Sequence, residues 1–168
     1  MTKPTEKDLD LALEGAFKGN AAFTEWFLDK TKFQGQLASY LWSRSDNPWG
    51  RFEFPELNLK TGTHEIVFKE GETDVLVVFQ TLDEKRFALH IENKLASGHF
   101  TPSQPELYAA RAAFWQGKPQ YRSYQEWETV LVAPNAFFQR CKTEATKFHR
   151  FVSHEEIAAH IPLFSTRP

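Results

Sequence analysis

The sequence predicts an α/β fold, a mixed β-sheet flanked by helices. Three observations predict it. The runs TDVLVVF (73–79) and WETVLVA (127–133) are apolar on both faces, as strands covered on both sides are. A segment with helical signals, 103–116, lies between the strands at 86–94 and 127–133, so that pair is joined by a crossover and reads as parallel. Amphipathic helical segments precede and follow the strands. At 168 residues the chain has the length of one domain (1–168), large enough to bury roughly 70% of its unfolded surface in one core.

Each element follows from its residues. In 6–18, Leu9, Leu13, Ala16 and Phe17 recur at helical spacing, and Gly19-Asn20 is a stop signal. In 21–33, Phe23, Trp26 and Phe27 share a second helical face. RSDNPWG (44–50) is turn material. Residues 51–59 and 63–68 read as strands, with Pro55 marking an edge or a bend. Thr81 to Lys85 closes a hairpin onto the strand 86–94, where Phe87, Leu89 and Ile91 face one way and Ala88, His90, Glu92 and Lys94 the other. Ser103, Pro105 and Glu106 form a capping box for the next helix, which stops at Gly117. Pro134 ends the strand 127–133. Helices over 136–150 and 154–160 follow, the second capped by Ser153.

Composition excludes several classes. An aromatic share of 15% implies a core or groove built from rings and is incompatible with disorder. Cys141 is the single cysteine, so no intrachain disulfide forms, and a reducing, cytoplasmic setting is expected. The first residues carry charges throughout and no apolar signal core, and no window approaches the ~18 apolar residues of a membrane span. With a formal net charge of −2, nucleic acid would have to bind a local patch aided by metal ions. No P-loop and no G-x-G-x-x-G is present, so no nucleotide cofactor is expected.

The chemistry centres on charges inside buried strands. Asp74 opens the apolar run, and Glu92 and Lys94 lie two apart on one face of the next strand. A lone carboxylate there is costly to desolvate, and two side by side repel. A divalent cation between them removes both costs, and oxygen ligands suit Mg²⁺ or Mn²⁺. Lys94 would then contact an attacking water or a phosphate oxygen. The plainer alternative is an exposed Glu92–Lys94 pair with Asp74 ending a turn. Gln104, Tyr108 and Arg111 share a face of the following helix. Gln104 can orient a water or a phosphate, and Arg111 can hold a neighbouring phosphate. Tyr108 also reads as a core aromatic and Arg111 as a surface charge.

The ordered set Thr73-Asp74-VLVVF, His90-Ile-Glu92-Asn-Lys94-Leu and Gln104-Pro-Glu-Leu-Tyr108 resembles the PD-(D/E)XK nuclease superfamily. Its Q-x-x-x-Y element resembles the RecB-like branch. The resemblance is strongest over about residues 70–135 and implies a restriction-endonuclease-like α-β-β-β-α-β core acting on DNA. It implies that Asp74 and Glu92 are metal ligands, with the Asn93 carbonyl as a third, that Lys94 positions or polarises water, and that Gln104 supports the site. Thr73 stands where many members have proline. Some members add an acid from the first helix, for which Glu25 is the candidate and Glu14 the second.

Other features are weaker. Arg140, Lys142, Lys147 and Arg150 over 136–150, with Lys118 and Arg122, can track a phosphate backbone or form a solvated face. HEEIAAH (154–160) superficially resembles a zinc-protease helix, but Ala158 stands where the second histidine belongs. Cys141 and His149 lack partners for a zinc site, and His90 reads as a hydrogen-bonded strand histidine able to touch the site. The rival to a nuclease is a non-catalytic module of the same fold that binds or assembles; a hydrolase of another phosphorylated substrate is a third reading. Oligomerisation is open.

Overall fold

The computed structural model describes residues 2–165. Helix α1 (Glu6–Gly19) begins at a capping box in which the Thr5 hydroxyl accepts from Asp8 N–H and the Asp8 carboxylate accepts from Thr5 N–H. It buries Leu9, Leu13 and Phe17. Asn20 ends α1 and caps α2 (Ala21–Leu28), accepting from Phe23 N–H at 3.0 Å. The helix expected over 21–33 therefore stops at Leu28, where the Thr31 hydroxyl takes the Leu28 carbonyl at 2.7 Å and diverts the chain into turns.

The strands are β1 (Ser39–Arg44), β2 (Trp49–Asn58), β3 (Thr63–Glu72), β4 (Val75–Gln80), β5 (Arg86–Asn93), β6 (Glu126–Ala133) and β7 (Arg150–Ser153). Five form a mixed sheet in the order β1-β4-β5-β6-β7. The β1–β4 and β4–β5 pairs are antiparallel, and the β5–β6 and β6–β7 pairs parallel. The crossover between β5 and β6 is α3 (Gln104–Trp115). The mixed α/β class expected from the sequence is the observed one.

Residue alternation builds two layers on the sheet. Val75, Val77, Phe79, Phe87, Leu89 and Ile91 face α1 and α2, and meet Leu13, Phe17, Phe23 and Phe27. Leu76, Val78 and Ala88 face the other way and meet Trp115 and Tyr124.

Four expectations are corrected. The strands expected over 51–59 and 63–68 are β2 and β3, which form a separate two-stranded sheet instead of joining the main one. Its inner end rests on α3. Phe52 is fully buried, Trp115 Nε1 donates to the Arg51 carbonyl at 3.1 Å, and a Cβ on Gly50 would lie 3.0 Å from the Trp115 ring. Strand β1, whose last residue Arg44 was expected to open a turn, fills the sheet edge beside β4. The helix expected over 136–150 is two short helices, α4 (Asn135–Arg140) and α5 (Lys142–Ala145), and the chain then extends into β7 because β6 offers a pairing edge. The last helix, expected over 154–160, is one turn, α6 (His154–Ile157), capped by Ser153 and Glu156 as expected for that serine.

Candidate acid site at the ends of two strands

The register of β4 and β5 brings the two acids together. Val75 pairs with Ile91, so Asp74, just before Val75, lies opposite Glu92, just after Ile91. Lys94 follows one pleat on, and its Nζ lies 2.7 Å from Glu92 Oε1. Gln104 and Tyr108, one turn apart on α3, reach the same carboxylate: Gln104 Nε2 donates to Oε1 at 2.8 Å, and the Tyr108 hydroxyl donates to Oε2. Asp74 N–H donates to the Tyr108 oxygen at 3.1 Å, so one phenol braces both acidic residues. Asp74 Oδ2 accepts from Asn93 N–H at 2.9 Å and Oδ1 from Asn47 at 3.1 Å.

Asn93 enters this geometry through its backbone N–H. Its side chain lies on the other face of β5, donating to Asp10 Oδ1 at 3.1 Å and holding His154 Nε2 on its own oxygen at 2.9 Å. Asp10, from α1, is 3% exposed. Asp10 is thus the acid of α1 that lies against β5 beside the site. Glu25 is exposed on α2, and Glu14 is tied to Lys18 at 2.7 Å. A signal for Asp10 was present, since it shares the i, i+3, i+7 face of Leu13 and Phe17. Asn47 carried no such signal.

Arg111 is corrected as a phosphate holder. It is 2% exposed, with its guanidinium 4.5 Å over the Tyr108 ring, and Nε donates to the Thr73 hydroxyl at 3.0 Å. Nη1 fills the space where a Cβ on Gly71 would lie, 2.9 Å away, and Nη2 has no hydrogen-bond partner. The hairpin β2–β3 closes over it. Tyr108, 2% exposed, is a brace and not a substrate-facing ring. His90 is structural: Nδ1 meets Thr73 Oγ1 at 3.0 Å and Nε2 meets the Tyr124 hydroxyl at 3.1 Å. Tyr124 donates onward to the Ala112 carbonyl, so a neutral His90 with its proton on Nε2 satisfies every partner. Burial, then Arg111, keeps the His90 pKa low, in agreement.

The capping box at Ser103 does not form. Ser103 sits at φ 59° with no side-chain cap, and Gln104 Oε1 accepts from Thr101 N–H at 3.1 Å. That bond orients Gln104 so that its amide N–H points at Glu92. The expected basic strip is largely engaged elsewhere. Arg140 donates to the carbonyls of Ala96 and Gly98 and holds the loop after β5, Lys147 pairs with Glu106 and Glu144, and Arg150 pairs with Glu128. His154 and His160 of HEEIAAH separate, with the His160 ring packed against Trp26 at an interplanar angle of 41°.

A depression of about 530 Å³ reaches Asp74 and Asp10, walled by Glu6, Lys7, Asn47, Glu72 and Leu95. Among the described residues four carboxylates and one ammonium line it. Burial first, and the charge of Glu92 second, push the Asp74 pKa far above the usual carboxylate range. Burial raises that of Asp10 to about 6. This deficit of positive charge beside oxygen donors fits a hard divalent cation. Glu92 departs from an open ligand, because both its oxygens are already hydrogen-bonded or ion-paired. Among the described residues no three His, Cys, Asp or Glu side chains are grouped as a metal-binding cluster. Nor is any helix there long and apolar enough to cross a membrane.

Scans against protein-family models, curated proteins and solved structures find no match to this chain.

Proposed function

We propose that this chain is a metal-dependent nuclease of restriction-endonuclease-like fold, allied to the PD-(D/E)XK superfamily, that hydrolyses DNA phosphodiester bonds. The observation that carries this reading is the meeting of Asp74 and Glu92 from adjacent strands with Lys94 2.7 Å from Glu92 and Gln104 2.8 Å from it. Asp74, Glu92 and the Asn93 carbonyl would hold Mg²⁺ or Mn²⁺. Such an ion supplies charge neutralisation at the phosphate and a more acidic water. The chain's own residues do the rest. Gln104 and Tyr108 lock the Glu92 carboxylate in one orientation, which lowers the cost of organising the site at the moment of reaction. Lys94 places an ammonium beside it to orient the attacking water. The depression at Asp74 receives the phosphate.

The test is cleavage of linear, circular and single-stranded DNA with Mg²⁺ or Mn²⁺. Lys94→Ala is expected to abolish cleavage while the circular dichroism spectrum stays that of the parent. Undiminished cleavage by that variant overturns the assignment. A second reading, a non-catalytic binding or assembly module, is favoured by one observation, the full engagement of Glu92. Calorimetry separates the two, since the module binds no Mn²⁺ at millimolar concentration.

A further inference from the structure

Helix α3 links two chemically different places. Its first turns carry Gln104 and Tyr108 to the acid site. Its last turn, ten residues and about 15 Å further on, carries Phe114 to a surface of rings and cations. There Lys118 Nζ lies 4.3 Å over the Phe114 ring, Arg51 lies 4.5 Å over Phe68, and Arg122 lies 5.1 Å over Trp42. Phe68 and Phe114 meet edge to face with centroids 6.5 Å apart. Phe68 is 56% exposed, and Arg51 and Arg122 are exposed.

Two features combine at this surface. Among the described residues Arg51, Lys118 and Arg122 form no ion pair. Each of the three also lies over an aromatic ring. Rings and guanidinium planes at the surface are stacking partners for unpaired bases, and free cations beside them meet the phosphates. A duplex hides its base faces and so gains nothing from the rings.

We propose that the surface formed by the Arg51–Phe68, Lys118–Phe114 and Arg122–Trp42 pairs binds single-stranded nucleic acid, which α3 aligns with the acid site. Its connection to cleavage rests on the nuclease reading; the binding itself does not. Glu53 lies across the hairpin from Phe68, and Glu70 from Arg51. These acids weaken the pull on the backbone, so stacking carries most of the affinity.

Fluorescence anisotropy of a labelled oligothymidylate in EDTA measures binding without cleavage. The single strand is expected to bind more tightly than its duplex with oligoadenylate, with a salt slope no steeper than roughly −2 for three phosphate contacts. Phe68→Ala is expected to weaken binding by about 5- to 150-fold, the worth of one stacked base. Arg51→Ala is expected to flatten the slope by about 0.7, which keeps the test open should the phenylalanine variant misfold. Equal or tighter duplex binding, or unchanged binding by Phe68→Ala and Arg51→Ala, overturns the proposal. Single-strand binding that these substitutions weaken supports it, and absence of cleavage in the same protein with Mg²⁺ or Mn²⁺ overturns the nuclease reading alone.

Discussion

Tyr108 is the residue through which the acid site is organised. Its oxygen takes Asp74 N–H and its hydroxyl donates to Glu92, while Arg111 lies over its ring and Phe148 packs beside it. Burial, then the charges of Glu92 and Asp74, holds its pKa well above the usual phenol value, so it remains a donor. Tyr108→Phe leaves a buried carboxylate oxygen and the Asp74 N–H without this partner. We expect a loss of roughly 1.5–3 kcal/mol, read from urea unfolding. A loss below about 0.5 kcal/mol would show that Tyr108 is filling space only. Helical spacing placed Gln104, Tyr108 and Arg111 on one face, and that was legible. The depth of Arg111 was not, because the hairpin that covers it comes from residues some forty to sixty positions earlier.

At the scale of elements, the junction of α1, β5 and α6 is a buried polar bridge, Asp10–Asn93–His154. Burial raises the Asp10 pKa to about 6 and lowers that of His154 to about 4. The stability tied to the Asp10 proton is complete below about pH 4 and is lost as pH rises through 6. The histidine has the opposite sign: its contribution is complete above about pH 6.5 and is lost as pH falls through 4. Between pH 4 and 6 the two oppose each other, each spanning roughly 3 kcal/mol. Asp10→Asn is therefore expected to make stability rise more steeply with pH over this window than in the parent, and His154→Gln to make it fall relative to the parent. Parallel thermal-melt curves against pH for all three proteins would refute the bridge as an opposed pair. The apolar face of α1 was readable from spacing. The break between α4 and α5 was not, because pairing of β7 with β6 overrides helical periodicity there.

Over the whole molecule, charge is unevenly spread. Glu6, Asp10, Glu72 and Asp74 gather around one depression, with Lys7 the only basic residue lining it among the described residues. Arg51, Lys118 and Arg122 gather at the far end of α3. A cation bound in the depression stabilises the folded state by mass action. Mn²⁺ at a hundred times its Kd is expected to add about 2.7 kcal/mol. For a chain of this size that is a Tm increase of roughly 5–10 °C. Asp74→Asn is expected to remove most of it. No shift in the parent protein at millimolar Mn²⁺ would favour the binding-module reading.

The sequence alone determined the mixed α/β class and the two-faced strands, which follow from periods of two and 3.6 residues and from short connections, all of which are local. The meeting of Asp74, Glu92, Lys94 and Gln104 was an expectation that the resemblance of their motifs implied, and the β4–β5 register and the docking of α3 decided it. Only the tertiary structure decided that Asp10 of α1 lies against Asn93, that Arg111 is enclosed by Gly71 and Phe52, and that β2 and β3 stand apart from the main sheet. Each depends on which distant surfaces pack together, and packing between remote segments leaves no period in the chain.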